Sequence, residues 1–119
     1  MVEVMIRMHA FPVKRRELLL VLQGLMEMLQ KEQGFLRARL WTEAEDKNIF
    51  ILNEEWKTRD DIDRYIRQSN YYRVLLGAQQ LLAKSSQITV DVVSQTEGME
   101  LMYAVPGDSK EMYRVETTV

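Results

Sequence analysis

Arg7 and His9 stand two residues apart in an alternating segment, so a strand would present both on one face. An arginine holds an anionic oxygen by charge and parallel N–H donors, and a histidine is the usual side chain for moving a proton near neutral pH. Such a pair could deprotonate a weakly acidic hydroxyl and hold the anion. A second set begins at Glu54-x-Trp56, a carboxylate and an indole of equal strand parity, and continues with Tyr65 and Tyr72. Trp56 and Tyr65 could stack on a flat ligand, with the Tyr65 hydroxyl reaching a polar atom. Tyr71 and Tyr72 flank a helix break and could line an entrance. Asn53 and Glu54 point to opposite sides of their strand, and Glu54, which shares parity with Trp56, is the chosen ligand contact. Asp91 completes the candidate contacts. Each has a plainer alternative: Arg7 paired with Asp91, His9 at a solvated strand end, and the aromatics as ordinary core.

Elements of definite type must position these groups. Val2, Val4, Ile6 and Met8 alternate with Glu3, Met5, Arg7 and His9, the period of a strand with two different faces. Pro12 fits the first turn of the next helix, whose stripe is Leu18, Val21, Leu22, Leu25, Met28 and Leu29. Gly34 ends that helix, and a second strand is expected from about Phe35 to Trp41. Asp46-Lys47-Asn48 reads as a turn into a third strand, Ile49 to Trp56. Thr58 caps the next helix, with Asp60 and Asp61 suited to its positive end. Ile62, Tyr65 and Ile66 share a face, a pause is expected at Ser69-Asn70, and Tyr71, Val74, Leu75, Ala78, Leu81 and Leu82 line a further helix. Ile88, Val90 and Val92 alternate as a fourth strand. The order β-α-β-β-α-β predicts an α+β, ferredoxin-like domain with an antiparallel sheet and helices on one face.

At 119 residues the chain suits one domain, here drawn as 1–96, with 97–119 as a C-terminal extension whose cluster Met99, Leu101, Met102 and Tyr103 would serve as a dimer arm. A formal charge of -2 gives no basic field for nucleic acid. Lys14-Arg15-Arg16 reads as a solvated charge run, or else a lure for an anionic ligand. No apolar run is long enough to span a membrane, and Glu3 and Arg7 interrupt any secretory signal. The absence of cysteine fits a reducing compartment, so a cytoplasmic location is expected.

With helices on one face, the other face needs cover, because Met5, Val93 and one alternation of the third strand are apolar: either Phe50, Leu52 and Trp56, or Ile49 and Ile51. A second copy of the chain is the expected cover, giving a homodimer with a cavity in each subunit. Over about Val2 to Thr96 the sequence resembles the antibiotic biosynthesis monooxygenase family, which includes quinol monooxygenases and belongs to the dimeric α/β-barrel superfamily. The resemblance rests on the first strand and helix, Gly34-Phe35, and Phe50-Ile51-Leu52-Asn53-Glu54-Glu55-Trp56 with its following helix; Glu54-x-Trp56 matches the family's Glu-x-Trp.

The resemblance implies a cofactor-independent monooxygenase, using neither metal nor flavin, that acts on a small aromatic or quinone-like molecule. The substrate itself would reduce dioxygen, so the protein must deprotonate it, hold the anion and exclude water. His9 would then be the catalytic base and Arg7 the catalytic anion holder, with Trp56, Tyr65, Glu54, Asp91 and Tyr72 contacting substrate. Many relatives carry a histidine in the helix after Glu-x-Trp and another near the helix break, where this chain has Tyr65 and Asn70; His9 is its only histidine. That departure speaks against a haem-degrading role and leaves an alternative, a non-catalytic ligand-binding or regulatory dimer of the same fold.

Overall fold

The computed structural model describes residues 1–94, with only the backbone described at Tyr71. Its organising strand is β1 (Val2–His9), along which buried and half-buried residues alternate without exception. β1 pairs antiparallel with β3 (Ile49–Trp56) on one side and with β4 (Gln87–Val92) on the other. β2 (Phe35–Thr42) pairs antiparallel with β3, giving one four-stranded sheet in the order β2-β3-β1-β4. The α+β ferredoxin-like arrangement expected from the sequence is therefore the one formed. The expected extension at 97–119, with Met99 to Tyr103, lies outside the described residues.

Register assigns every strand residue to a face, because directly opposed residues share one. Val4 opposes Glu54, Ile6 opposes Leu52, and Met8 opposes Phe50, so these side chains lie together beneath the helices. Met5 opposes Asn53, Arg7 opposes Ile51, and His9 opposes Ile49, all on the second face. The open choice for β3 is settled: Phe50, Leu52, Glu54 and Trp56 face the helices, and Ile49 and Ile51 face away.

A single turn of 3-10 helix, Pro12–Lys14, leads into α1 (Arg15–Leu29). Leu18, Leu22, Leu25 and Leu29 recur at helical spacing and are all fully buried, each contributing about 1.5–3 kcal/mol of transfer free energy. Met28, expected on this stripe, is 38% exposed. It stands one position before Leu29 and so points about a quarter-turn off the core-facing seam.

Gly34 follows at φ +80, and a Cβ there would fall onto the Asp61 carboxyl. Only glycine meets both demands. The same carboxylate accepts from the Thr58 hydroxyl (2.8 Å) and Arg64 Nη1 (2.8 Å), while Thr58 Oγ1 accepts the Asp61 amide (3.2 Å) at the cap of α2 (Arg59–Gln68). The expected cap thus forms, with the carboxylate bonded to the hydroxyl. Helix α2 stops at Ser69, whose backbone is extended, and α3 (Asn70–Gly77) resumes at once, followed by a short 3-10 turn, Ala78–Leu81. This break lets the two helices bend over the central strands β1 and β3. Strand β4, at the sheet edge, is exposed throughout.

Candidate functional site

The bend between α2 and α3 closes a small chamber against the sheet. Its floor is Val4 and Ile6 of β1 with Glu54 of β3, its roof is Tyr65, Tyr72 and Leu75, and its mouth lies at Ile88 and Val90 on the exposed edge strand. The volume is about 90 Å³. That is below the ~150 Å³ of a cavity known to take a benzene ring. A second chamber of about 240 Å³ shares Ile6, Tyr72, Leu75 and Ile88 with the first and adds Gln79, Ser85 and Ser86 at its polar end. Tyr72 and Leu75 therefore form a partition. With it moved aside, the joined space exceeds the ~300 Å³ at which small-molecule sites begin.

Glu54 is the carboxylate of the inner chamber. It is 3% exposed, and its Oε1 accepts from Trp56 Nε1 at 3.0 Å. The two residues meet because residues i and i+2 of a strand share a face. Burial in apolar surroundings pushes the Glu54 carboxyl up from its usual 4.5 to about 7, against the smaller lowering effect of the Trp56 hydrogen bond. Arg59, the cation lining this chamber, is committed to Asp63 at 3.2 Å.

An aromatic series runs beside the carboxyl. Trp56 meets Phe35 edge-on at 5.4 Å and Tyr65 at 5.1 Å, and Tyr65 meets Tyr72 edge-on at 6.1 Å. Trp56 and Tyr65 are buried, so part of their role is core, as the plainer reading held. The Tyr65 hydroxyl is nevertheless buried with no hydrogen-bond partner among the described residues. Burial, then the charges of Glu54 and Glu32, push its ionisation well above the ordinary tyrosine range, so it remains a proton-bearing donor.

Arg7 and His9 are elsewhere, on the other face of the sheet. Arg7 Nε and Nη2 reach Glu43 Oε1 and Oε2 at 2.6 and 3.1 Å, and its Nη1 reaches His9 Nε2 at 3.0 Å and Gln87 Oε1 at 3.2 Å. Since a guanidinium only donates, His9 Nε2 is the acceptor and its lone pair is engaged. The hydrogen bond from Arg7 holds the Glu43 carboxyl below the usual range. The expected pair of Arg7 with Asp91 does not form. Register puts Gln87 opposite Arg7 and sets Asp91 opposite Glu3, four residues along the exposed edge strand.

The predicted site is thus divided by the sheet: Glu54, Trp56, Tyr65 and Tyr72 are together under the helices, whereas Arg7, His9 and Asp91 stand on the opposite face. Glu43 was missed because it sits in the polar run read only as a turn. Asn53, also on the far face, is 1% exposed, and neither of its amide atoms has a partner among the described residues.

A larger open groove of about 400 Å³ runs between α1 and β2, past Leu19, Met26, Leu40 and Phe50. Among the described residues its only ionisable lining group is Arg15, which is bonded to the Lys47 carbonyl (2.9 Å) and stacked over Phe50, so they form no acid–base pair there. Among the described residues no three His, Cys, Asp or Glu side chains are grouped to hold a metal ion, and no helix is long and apolar enough to cross a membrane.

A family model described as antibiotic biosynthesis monooxygenase matches residues 1–76. No curated protein matches the chain. Among solved structures, a conserved protein from Methanosarcina mazei Go1 superposes with TM-score 0.71 at 24% identity, over 76% of this chain and 89% of its own. Rv0793 from Mycobacterium tuberculosis does so with TM-score 0.73 at 21% identity, over 82% and 98%. SnoaB from Streptomyces nogalater, a cofactor-independent oxygenase, does so with TM-score 0.71 at 19% identity, over 80% and 94%. At these identities the likeness shows the fold.

Proposed function

Because the chain belongs to the antibiotic biosynthesis monooxygenase family, we propose that it oxygenates a small hydroxylated aromatic molecule in the joined chambers between sheet and helices, without a cofactor. The observation that carries this reading is the buried Glu54 carboxyl, half engaged by Trp56, in a largely apolar chamber beside a tyrosine hydroxyl unpartnered among the described residues. An electron-rich phenol or quinol ionised there can reduce dioxygen itself. Two hydrogens of the substrate leave with one oxygen atom as water, and the second oxygen atom enters the ring as a carbonyl. The chamber's contribution is to position the ring, accept charge and keep out water.

The second face of the sheet, with Met5, Ile49, Ile51 and Trp41 among its charged groups, is covered in this reading by a second copy of the chain. Arg7, His9 and Asp91 then belong to that interface. The element order and the apolar groups on that face support this reading. The cytoplasm is the compartment this reading assigns.

The test is dissolved-oxygen consumption against a panel of hydroquinones and dihydroxyarenes, with no metal or flavin added. Uptake with at least one of them is expected. A correctly folded protein that consumes none, yet binds them, would instead be the ligand-binding module, a reading favoured by a chain whose one histidine is His9.

A further inference from the structure

Resting on the reading that the inner chamber, opened into its neighbour, takes a hydroxyarene, the geometry points to Glu54 as the group that accepts the substrate's hydroxyl proton, and to the Tyr65 hydroxyl as the donor that holds the resulting oxyanion. Glu54 is the carboxylate lining the chamber. One of its oxygens is fixed by Trp56 Nε1, and the other has no hydrogen-bond partner among the described residues. Tyr65, lining the same chamber from α2, carries a buried hydroxyl that is likewise unpartnered. A buried donor and a buried acceptor left open beside the same apolar space are what a ligand bearing one acidic hydroxyl would complete.

The step balances within the chamber. The substrate O–H bond breaks, the proton goes to the free oxygen of Glu54, and the electron pair stays on the substrate oxygen, which accepts from Tyr65. One negative charge is present before and after, so no new charge is created in a low-dielectric space. The groups that face Glu54 do not neutralise it: Tyr65 and Tyr72 bring no positive charge, Glu32 acts on Tyr65 with the same sign, and Arg59 at the rim is held by Asp63. Burial accordingly raises the affinity of Glu54 for a proton to a value near neutrality, where a general base works best. His9, the base expected from the sequence, is on the far side of the sheet with Nε2 engaged by Arg7.

The experiment uses 2,4-dinitrophenol, an anion at neutral pH that mimics the ionised substrate and whose visible absorbance reports binding. At about pH 8 wild-type Glu54 is ionised, so admitting the dye anion requires Glu54 to take up a proton. Heats of binding in buffers of different ionisation enthalpy should show close to one proton absorbed per site. Glu54→Gln, which keeps the volume and still accepts from Trp56, should absorb none, bind the anion about tenfold more tightly at that pH because no proton must be found, and lose quinol-driven oxygen uptake. Tyr65→Phe should weaken the dye severalfold with proton uptake unchanged. Equal proton uptake in wild type and Glu54→Gln, or oxygen uptake surviving in Glu54→Gln, overturns Glu54 as acceptor while leaving the oxygenase reading in place. No dye binding together with no oxygen consumption by wild type overturns both.

Discussion

Glu54→Gln should also change how stability depends on pH. Below about pH 4.5 the Glu54 carboxyl is protonated in both folded and unfolded chains and discriminates between them very little. As pH rises, the unfolded carboxyl releases its proton near 4.5, whereas the folded one keeps it until about 7 because ionisation would leave an uncompensated charge in the chamber. Stability contributed by the neutral, buried carboxyl is therefore fully present below the unfolded value and is lost as pH rises through the folded one. The separation corresponds to about 3 kcal/mol in all, of which about 2.5 kcal/mol falls between pH 5 and pH 8. Glutamine cannot ionise and lacks this loss. The stability of Glu54→Gln minus that of wild type should accordingly grow by roughly 2–3 kcal/mol between those two pH values, as read from urea unfolding at constant ionic strength. Taking the difference cancels Asp61 and Glu43, whose folded carboxyls are held low by Arg64 and Arg7 and which change ionisation below this window. Two parallel stability curves, differing by a constant from pH 5 to pH 8, would refute the claim that Glu54 is a buried carboxyl of raised proton affinity. Greater stability of the variant in alkali, coupled to lost turnover, is the trade expected where a functional group is held against its solvation preference.

Three further outcomes test other links in the argument. Gly34→Ala must leave the left-handed backbone region or strain it and displace the Asp61 carboxyl, so a loss of at least about 2 kcal/mol is expected in urea unfolding, and a loss within experimental error would contradict the packing described. Tyr72→Ala removes the partition between the two chambers, so two-ring hydroxyarenes should gain about tenfold in affinity over one-ring analogues, followed by quenching of Trp56 in a Trp41→Phe background; an unchanged ratio means that Tyr72 is not the divider. Arg7→Met breaks the bonds to Glu43, His9 and Gln87 on the far face and should alter the dimer constant in sedimentation while leaving dye binding as it was. Loss of oxygen uptake in an intact Arg7→Met dimer would return the chemistry to that face.

Most of the fold was legible because local signals and long-range packing agree. The β1 alternation, the Leu18 to Leu29 stripe, Gly34, the Thr58 cap and the pause at Ser69 each express a short-range rule, and tertiary structure overrides none of them. Met28 departs from expectation because a stripe read from composition is wider than the seam that contacts the sheet. The equal parity of Glu54 and Trp56 was readable for the same short-range reason, and it proved to be a hydrogen bond.

What the sequence could not supply is which face of the sheet carries the chamber. Parity says that Arg7 and His9 oppose Val4 and Ile6, and it says separately that Glu54 joins Trp56, but the relation between the two sets depends on the register of β1 against β3, and a slip of one residue would exchange the faces. In the observed register Val4 meets Glu54, which puts this carboxylate of the chamber beneath α2 and α3 and leaves the histidine outside. Register also decides the partner of Arg7: neighbouring strands alone suggest Asp91, while the observed alignment brings Gln87 opposite and leaves Glu43 to arrive from the turn. A histidine is the first residue one seeks for proton transfer near neutral pH because its ordinary chemistry suits it. Glu54 acquires comparable chemistry only from burial, a property of the folded chain that no residue type announces.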